Sequence, residues 1–159
     1  MNKQLKNIIA GQGLGNLKFG LAREQVKQLL GEPDESETYS YTESEQDLTE
    51  SWHYDELELS ISFDEDEDWR LVTICISSDF YEFQHFNPVG MNKTELVAQL
   101  NKLEIRDLEY EDCSADESPN HELYSSDDLG MNFWIDEGIV TEVQWGPLLI
   151  DDENIDWPE

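Results

Sequence analysis

Two stretches of the chain begin alike. Residues 19–26 read FGLAREQV and residues 89–96 read VGMNKTEL. Each has an apolar residue, a glycine and a second apolar residue. Each then runs through a basic residue (Arg23 or Lys93) and a Gln or Glu (Gln25 or Glu95) to an aliphatic, Val26 or Leu96. The sequel is repeated too. FGLAREQVKQLLGEP leads to the acidic stretch DESETYSYTESEQDLTE, then SWHY, the alternating LELSISFD, the turn DEDEDW and RLVTICIS. VGMNKTELVAQLNKL leads to a second acidic stretch, from Glu104 to about Asn120, then HELYS, LGMNFWID, the turn EG and IVTEVQWG. Glycine, helix, acidic loop and three short strands thus occur twice in one order. This repeat constrains the fold strongly, because units this small are poorly stable alone and must share a core. Phe63-Asp64 aligns with Ile135-Asp136, and Leu71-Val72-Thr73 with Ile139-Val140-Thr141. The offset drifts from 70 to 72 and then 68, which places the length differences in loops, where they cost little.

Local signals support the elements. Asn92 is a good N-cap, and Glu95 three residues on completes a capping box. Leu96, Val97, Leu100 and Leu103 follow at helical spacing. In the first copy Ala22 holds the cap position, Val26, Leu29 and Leu30 form the stripe, and Gly31 with Pro33 stops the helix. Leu57, Leu59, Ile61 and Phe63 alternate with polar residues, as do Leu129, Met131, Phe133 and Ile135, so one sheet face is packed and one is wet. Trp134 is a large aromatic on the wet face. The bridge DFYEFQHF is assigned to the core through Tyr81, Phe83 and Phe86. The predicted fold is α+β: two tandem α-β-β-β repeats, about 13–79 and 86–148, sharing a largely antiparallel sheet with the helices packed on one face. They make a single compact domain over 1–159, with an acidic C-terminal tail at 149–159.

Charge narrows the function. The chain has 9 basic and 38 acidic residues, a formal net charge of −29. Residues 1–30 are basic, at +4, so the remainder carries −33. Solubility needs only about 2–8 net charges in a small domain, and self-repulsion on this scale destabilises a compact state. Disordered acidic chains lack aromatics, whereas this one has 5 Trp, 6 Tyr and 6 Phe and reads as folded. A basic partner is the simplest reason to keep such a charge. Direct nucleic-acid binding is disfavoured, because phosphate contacts need clustered Lys and Arg and four basic residues remain after position 30. The N-terminus MNKQLKNIIAGQG has only the apolar core IIA, too short for a signal peptide, and no run approaches a membrane span. A cytoplasmic location is expected.

The runs GNLKFGLAREQVKQLLGEP, SWHY and SISFDEDEDWRLVTICIS resemble the helix-plus-antiparallel-sheet units of the β-lactamase-inhibitor protein and of the small lipoprotein of outer-membrane barrel assembly. They are similar, more closely, to small bacterial proteins with a glycine-helix start, an LGEP stop and an acidic hairpin turn after Phe. Several of these are immunity proteins of polymorphic or contact-dependent toxin systems. The resemblance implies a scaffold for binding other proteins and transfers no catalytic residue. The lipoprotein role would need a leader and a lipidated Cys and is not expected.

No constellation for chemistry emerges. Asp64, Asp66 and Asp68 have the spacing of the first EF-hand ligands, but the sixth position is Trp69 where the loop needs Gly, and the twelfth is Cys75 where it needs Glu. His53, His85 and His121 lie far apart without zinc spacing. GQGLG at 11–15 lacks the GK[ST] ending of a phosphate loop. Cys75, inside LVTICIS, is read as a buried thiol. The carboxylates around Cys113 disfavour its thiolate. No enzyme activity, cofactor or metal is expected.

Surfaces remain. The acidic loops 34–50 and 107–128 fall at equivalent points of the copies and so could project from one region. Tyr39, Tyr41, Tyr110, Tyr124, Trp69 and Trp134 interleave with the carboxylates, which suits recognition of a Lys- or Arg-rich protein. The expected partner-binding residues are Asp64, Asp66, Asp68, Trp69, Asp127, Asp128, Trp134, Asp136 and Glu137. The function expected is that of a monomeric immunity protein occluding a cognate toxin domain, a basic nuclease, with carboxylates standing in for phosphates. The alternative is a nucleic-acid-mimicking inhibitor of another DNA- or RNA-binding protein. An unassigned small enzyme comes third.

Overall fold

A computed structural model describes residues 5–40, 48–105, 107–114, 120–149 and 154–157. The chain opens with three short strands, β1 (Asn7–Ile9), β2 (Gly13–Leu14) and β3 (Leu17–Lys18), then α1 (Arg23–Leu30). Four strands follow: β4 (Glu35–Ser40), β5 (Leu48–Tyr54), β6 (Leu59–Asp64) and β7 (Arg70–Ile76). A short β8 (Glu82–Phe83) leads to α2 (Lys93–Lys102) and four more strands, β9 (Glu109–Asp112), β10 (His121–Ser126), β11 (Met131–Asp136) and β12 (Ile139–Trp145). The pair β13 (Leu148–Leu149) and β14 (Ile155–Asp156) closes the described chain. The fold is α+β and mostly antiparallel. One eight-stranded sheet runs β4-β5-β6-β7-β12-β11-β10-β9, and a four-stranded sheet runs β3-β2-β1-β8.

Each helix is therefore followed by four strands, not three. The acidic stretches expected as loops hold the edge strands β4 and β9 and the start of β5. ESETYS alternates acids with hydroxyls, and EYED sits on the opposite edge. Charged residues of low β-propensity are tolerated there because an edge strand has one open side, and the charge discourages pairing with another chain. Tyr41 and the rest of 41–47 lie outside the described residues, as do 115–119.

The inner face is built by alternation. One register row crosses it as Trp52, Ile61, Ile74, Trp145 and Met131, all at most 3% exposed. Burying each such side chain contributes roughly 1.5–3 kcal/mol. Both helices lie over this face, with Val26, Leu96 and Leu100 fully buried. In α1 the core-facing pair is Val26 and Leu30, so Leu29 falls beside it and is 38% exposed, contrary to the three-residue stripe. Tyr81, Phe83 and Phe86 are core, as expected. The small sheet packs here too. Trp145 Nε1 donates to Gly13 O across 3.2 Å. GQGLG is the tight turn of that sheet, where a Cβ on Gly13 would stand 2.1 Å from Leu17 O.

The helix starts are held in matching ways. Gly20 N–H donates to Leu71 O (2.9 Å) and Gly90 N–H to Val140 O (2.8 Å). Leu71 and Val140 donate in return to Leu21 O and Met91 O. Register breaks fall between Ser62 and Phe63 and between Trp134 and Ile135. Leu71 thus corresponds to Val140 rather than Ile139. The alignment slipped by one because the β6–β7 connection spans Glu65 to Trp69, whereas β11 and β12 are joined by Glu137 and Gly138 alone. The described part of the expected acidic tail docks: β13 pairs with β14, and the Arg70 guanidinium lies 5.2 Å over the Trp157 ring. Residues 150–153 and 158–159 lie outside the described residues.

Candidate partner-binding face

Among the described residues no helix covers the sheet's other face. Its central row runs Glu35, His53, Ser60, Cys75, Gln144, Asn132, Ser125, Glu109, across all eight strands. None of these residues is buried. The flanking row is Glu142, Trp134, Leu123 and Glu111. Beyond the centre on the first half lie Glu37, paired with Ser51, and Tyr39, paired with Thr49 and through it Asp64. Asp136 faces His121 at the far side. Seven outward positions are therefore carboxylates: Glu35, Glu37, Asp64, Glu109, Glu111, Asp136 and Glu142. The one cation at an outward strand position among the described residues is Arg70, at the sheet's end, and its guanidinium is drawn over Trp157.

Hydroxyls fix the middle. Tyr39 Oη lies 2.8 Å from Ser51 Oγ, which lies 3.0 Å from Ser62 Oγ. Thr49 Oγ1 donates to Asp64 Oδ1 at 2.8 Å. His53 bridges Ser60 Oγ (2.8 Å, through Nδ1) and Glu37 Oε1 (3.0 Å, through Nε2). Short side chains tied to each other lose little entropy when covered, so this floor is organised before anything binds. A shallow depression of about 210 Å³ opens over Ser60, Ser62, Asp64, Thr73 and Cys75. Trp134 stacks on His121, with centroids 5.3 Å apart and planes 12° apart. That stack explains how a large aromatic sits on the wet face.

Cys75 belongs to this face. It was expected in the core, but Ile74 and Ile76 point inward and period-two alternation sends the residue between them outward, where it is half-buried. Burial pushes its thiol well above the ordinary range, and the Glu142 carboxylate beside it pushes it further. That environment suits an inert thiol, not a nucleophile. The Cys113 thiol is also raised, first by desolvation and then by Glu111 and Asp112.

The nine residues expected to bind a partner do not form one site. β7 and β12 are antiparallel, with Ile74 opposite Trp145 and Ile76 opposite Val143. The β6–β7 turn therefore lies at one end of the sheet and the β11–β12 turn at the other. Asp64, Asp66, Asp68 and Trp69 share their end with Asp127 and Asp128. Trp134, Asp136 and Glu137 lie toward the opposite end. Asp64, Trp134 and Asp136 are on the open face itself. The described strands of the two acidic stretches, β4 and β9, lie on opposite edges of the sheet rather than in one region. Asp127 and Asp128 sit in a turn latched by Asp107, which accepts from Ser126 Oγ (2.7 Å) and Asp128 N–H (2.8 Å). These bonds hold the Asp107 carboxyl below the usual range.

Trp69 faces the helix side. It and Asp68 take φ of 58° and 57°, a region costing a non-glycine residue roughly 1–2 kcal/mol. The Arg23 guanidinium stands 4.6 Å over the Trp69 ring and also donates to Glu50 Oε1 at 3.3 Å. The second half has Lys93 Nζ on both Glu122 oxygens, at 3.2 and 3.1 Å, with Tyr110 Oη donating to Oε2 at 2.7 Å. Glu122 is buried. The tyrosine bond first, and then Lys93, hold its carboxyl below the usual range.

Sequence reasoning missed Glu35, Glu37, Glu109, Glu111 and Glu142. For Glu35, Glu37, Glu109 and Glu111 the signal was present in the alternation of ESETYS and EYED, hidden by their low β-propensity. Glu142 lies in IVTEVQW, already read as a strand, where alternation with Val143 and Trp145 marks it as outward. Among the described residues no three His, Cys, Asp or Glu side chains are grouped to hold a metal ion, and no helix is long and apolar enough to cross a membrane. Comparison of the chain with protein-family models, with curated proteins and with solved structures gives no match.

Proposed function

We propose that this chain is a stoichiometric inhibitor that docks a basic protein on the open face of its eight-stranded sheet. The observation that carries this reading is the charge of that face: seven carboxylates around a hydroxyl floor, against one peripheral arginine already engaged. Charge of one sign over a broad surface steers an oppositely charged partner and raises its encounter rate. The hydroxyls and the Trp134–His121 stack supply short-range contacts once it arrives. The specific form proposed is immunity: occlusion of a cognate toxin domain, a basic nuclease, whose phosphate-binding residues meet carboxylates in place of substrate phosphates. The two halves are read as tandem copies of one α-β-β-β-β unit, a reading supported by the matched glycine contacts, the matched register breaks and the paired Arg23–Glu50 and Lys93–Glu122 bridges.

The test is co-expression with basic nuclease toxin modules, beginning with any that is encoded next to this chain. Rescue of growth, together with a one-to-one complex of the purified proteins, is the expected result. Absence of both sinks the immunity reading.

A further inference from the structure

One feature of the first half has no counterpart among the described residues of the second. A cleft of about 430 Å³ opens between α1 and the β6–β7 turn, with the indoles of Trp52 and Trp69 on its walls. Arg23 covers the Trp69 ring, and Lys27 Nζ stands 5.7 Å from the Trp52 ring. Glu50 joins the two walls, accepting from Trp52 Nε1 at 2.6 Å and from Arg23 Nη1 at 3.3 Å. Asp68 and Glu24 add carboxylates at the rim. In the second half Val97 stands where Lys27 does, and the two-residue turn Glu137-Gly138 brings no indole under Lys93. The long turn that carries Trp69 is thus confined to one half; left-handed residues occur in both turns, Asp68 and Trp69 in one and Glu137 and Gly138 in the other.

We propose that this cleft receives an arginine side chain of the basic partner, and that Arg23 is a placeholder occupying it in the free protein. The inference rests on the proposed basic partner: the cleft lies on the helix side but at the end of the sheet, where Trp69 N–H donates to Asp64 O at 2.9 Å, so its arginine comes from a segment of the partner that reaches round that end from the open face. The cleft already retains a guanidinium between an aromatic face and a carboxylate, so its chemistry is demonstrated by its own occupant. Arg23 and Lys27 side chains are each 38% exposed, which leaves both free to swing outward. The net charge of −29 delivers a cation to the cleft and repels an anion, although two basic residues line it. Arginine is favoured over lysine because its flat guanidinium stacks on indole while its fork pairs with a carboxylate. Exchange of one stacked guanidinium for another costs little, so displacement of Arg23 is easier than opening an empty aromatic pocket.

Titration with hexa-arginine and hexa-lysine peptides, followed by calorimetry at low salt, tests this. The wild type should prefer hexa-arginine. Arg23→Gln should tighten hexa-arginine by about threefold beyond the effect of Lys102→Gln, which removes the same charge elsewhere. Trp69→Asn, a residue that tolerates the left-handed backbone, should abolish the arginine preference. If Arg23→Gln gives no more than Lys102→Gln, or Trp69→Asn keeps the preference, the cleft assignment is wrong while the basic-partner reading stands. If neither peptide binds the wild type, both are wrong.

Discussion

The helix starts offer a controlled experiment within one molecule. Ala22 and Asn92 have nearly the same backbone, with φ of −75° and −78° and ψ of 159° at both. Asn92 Oδ1 accepts from Glu95 N–H at 2.8 Å. Alanine has no acceptor, so in α1 only the reverse bond forms, from Ala22 N–H to Gln25 Oε1 at 2.9 Å. Asn92→Ala should therefore destabilise by about 1 kcal/mol, and Ala22→Asn should stabilise by about the same amount. Neither changes the net charge. In a chain of this length 1 kcal/mol moves the thermal midpoint by roughly 2–4 °C. Urea denaturation should show the two midpoints displaced in opposite directions at unchanged slope. The double variant should return close to wild type, because the sites lie in different halves and share no partner. If Ala22→Asn is neutral or destabilising while Asn92→Ala costs the full amount, the matching of the two helix starts is not what the contacts indicate.

Three further outcomes are expected. The Glu122 carboxyl lies below its ordinary value in the folded protein, so the unfolded chain takes up this proton first as pH falls. The stability it contributes is complete above the ordinary glutamate range and is lost as pH drops through the lowered folded value. Glu122→Gln should flatten that part of a stability–pH profile measured by urea midpoints. Cys75 should resist iodoacetamide at pH 8 in the folded protein and react on unfolding, and Glu142→Gln should speed the folded-state reaction; rapid alkylation of the folded wild type would contradict its placement. Tyr54 and Tyr81, pushed to about 12 mainly by burial, donate to Gly31 O and Leu57 O, so neither should contribute tyrosinate absorbance at pH 10.5 before unfolding.

What was legible in the sequence was whatever has a period. The helices, the inward faces of β6 and β11 and the fold class all follow from apolar spacing, and Asn92 announced its helix through a side chain of known geometry. The edge strands were invisible because nothing apolar marks them: ESETYS pairs with β5 through its backbone, and its glutamates look like loop. Cys75 was misplaced by composition, since LVTICIS is apolar throughout and the outward phase shows only against Ile74 and Ile76. The residues expected to bind a partner are dispersed for a topological reason. The β6–β7 and β11–β12 turns, matched in the sequence, fall at opposite ends of the sheet because β7 and β12 pair antiparallel, and no motif in the sequence records that junction. The Trp69 cleft could have been suspected only from the unequal lengths of the two hairpin turns.

The central claim is that the open face, and not net charge alone, recognises the partner. It is tested most directly by stopped-flow association with a purified basic toxin domain against which the chain protects in co-expression. Two variants with the same loss of three negative charges are compared: Glu37→Gln, Glu111→Gln and Glu142→Gln on the face, and Glu32→Gln, Glu56→Gln and Glu104→Gln in exposed turns. The face variant should associate at least about tenfold more slowly at low salt and with weaker salt dependence, while the turn variant should change by less than about threefold. Equal slowing by the two variants, or none by the face variant, would contradict the claim.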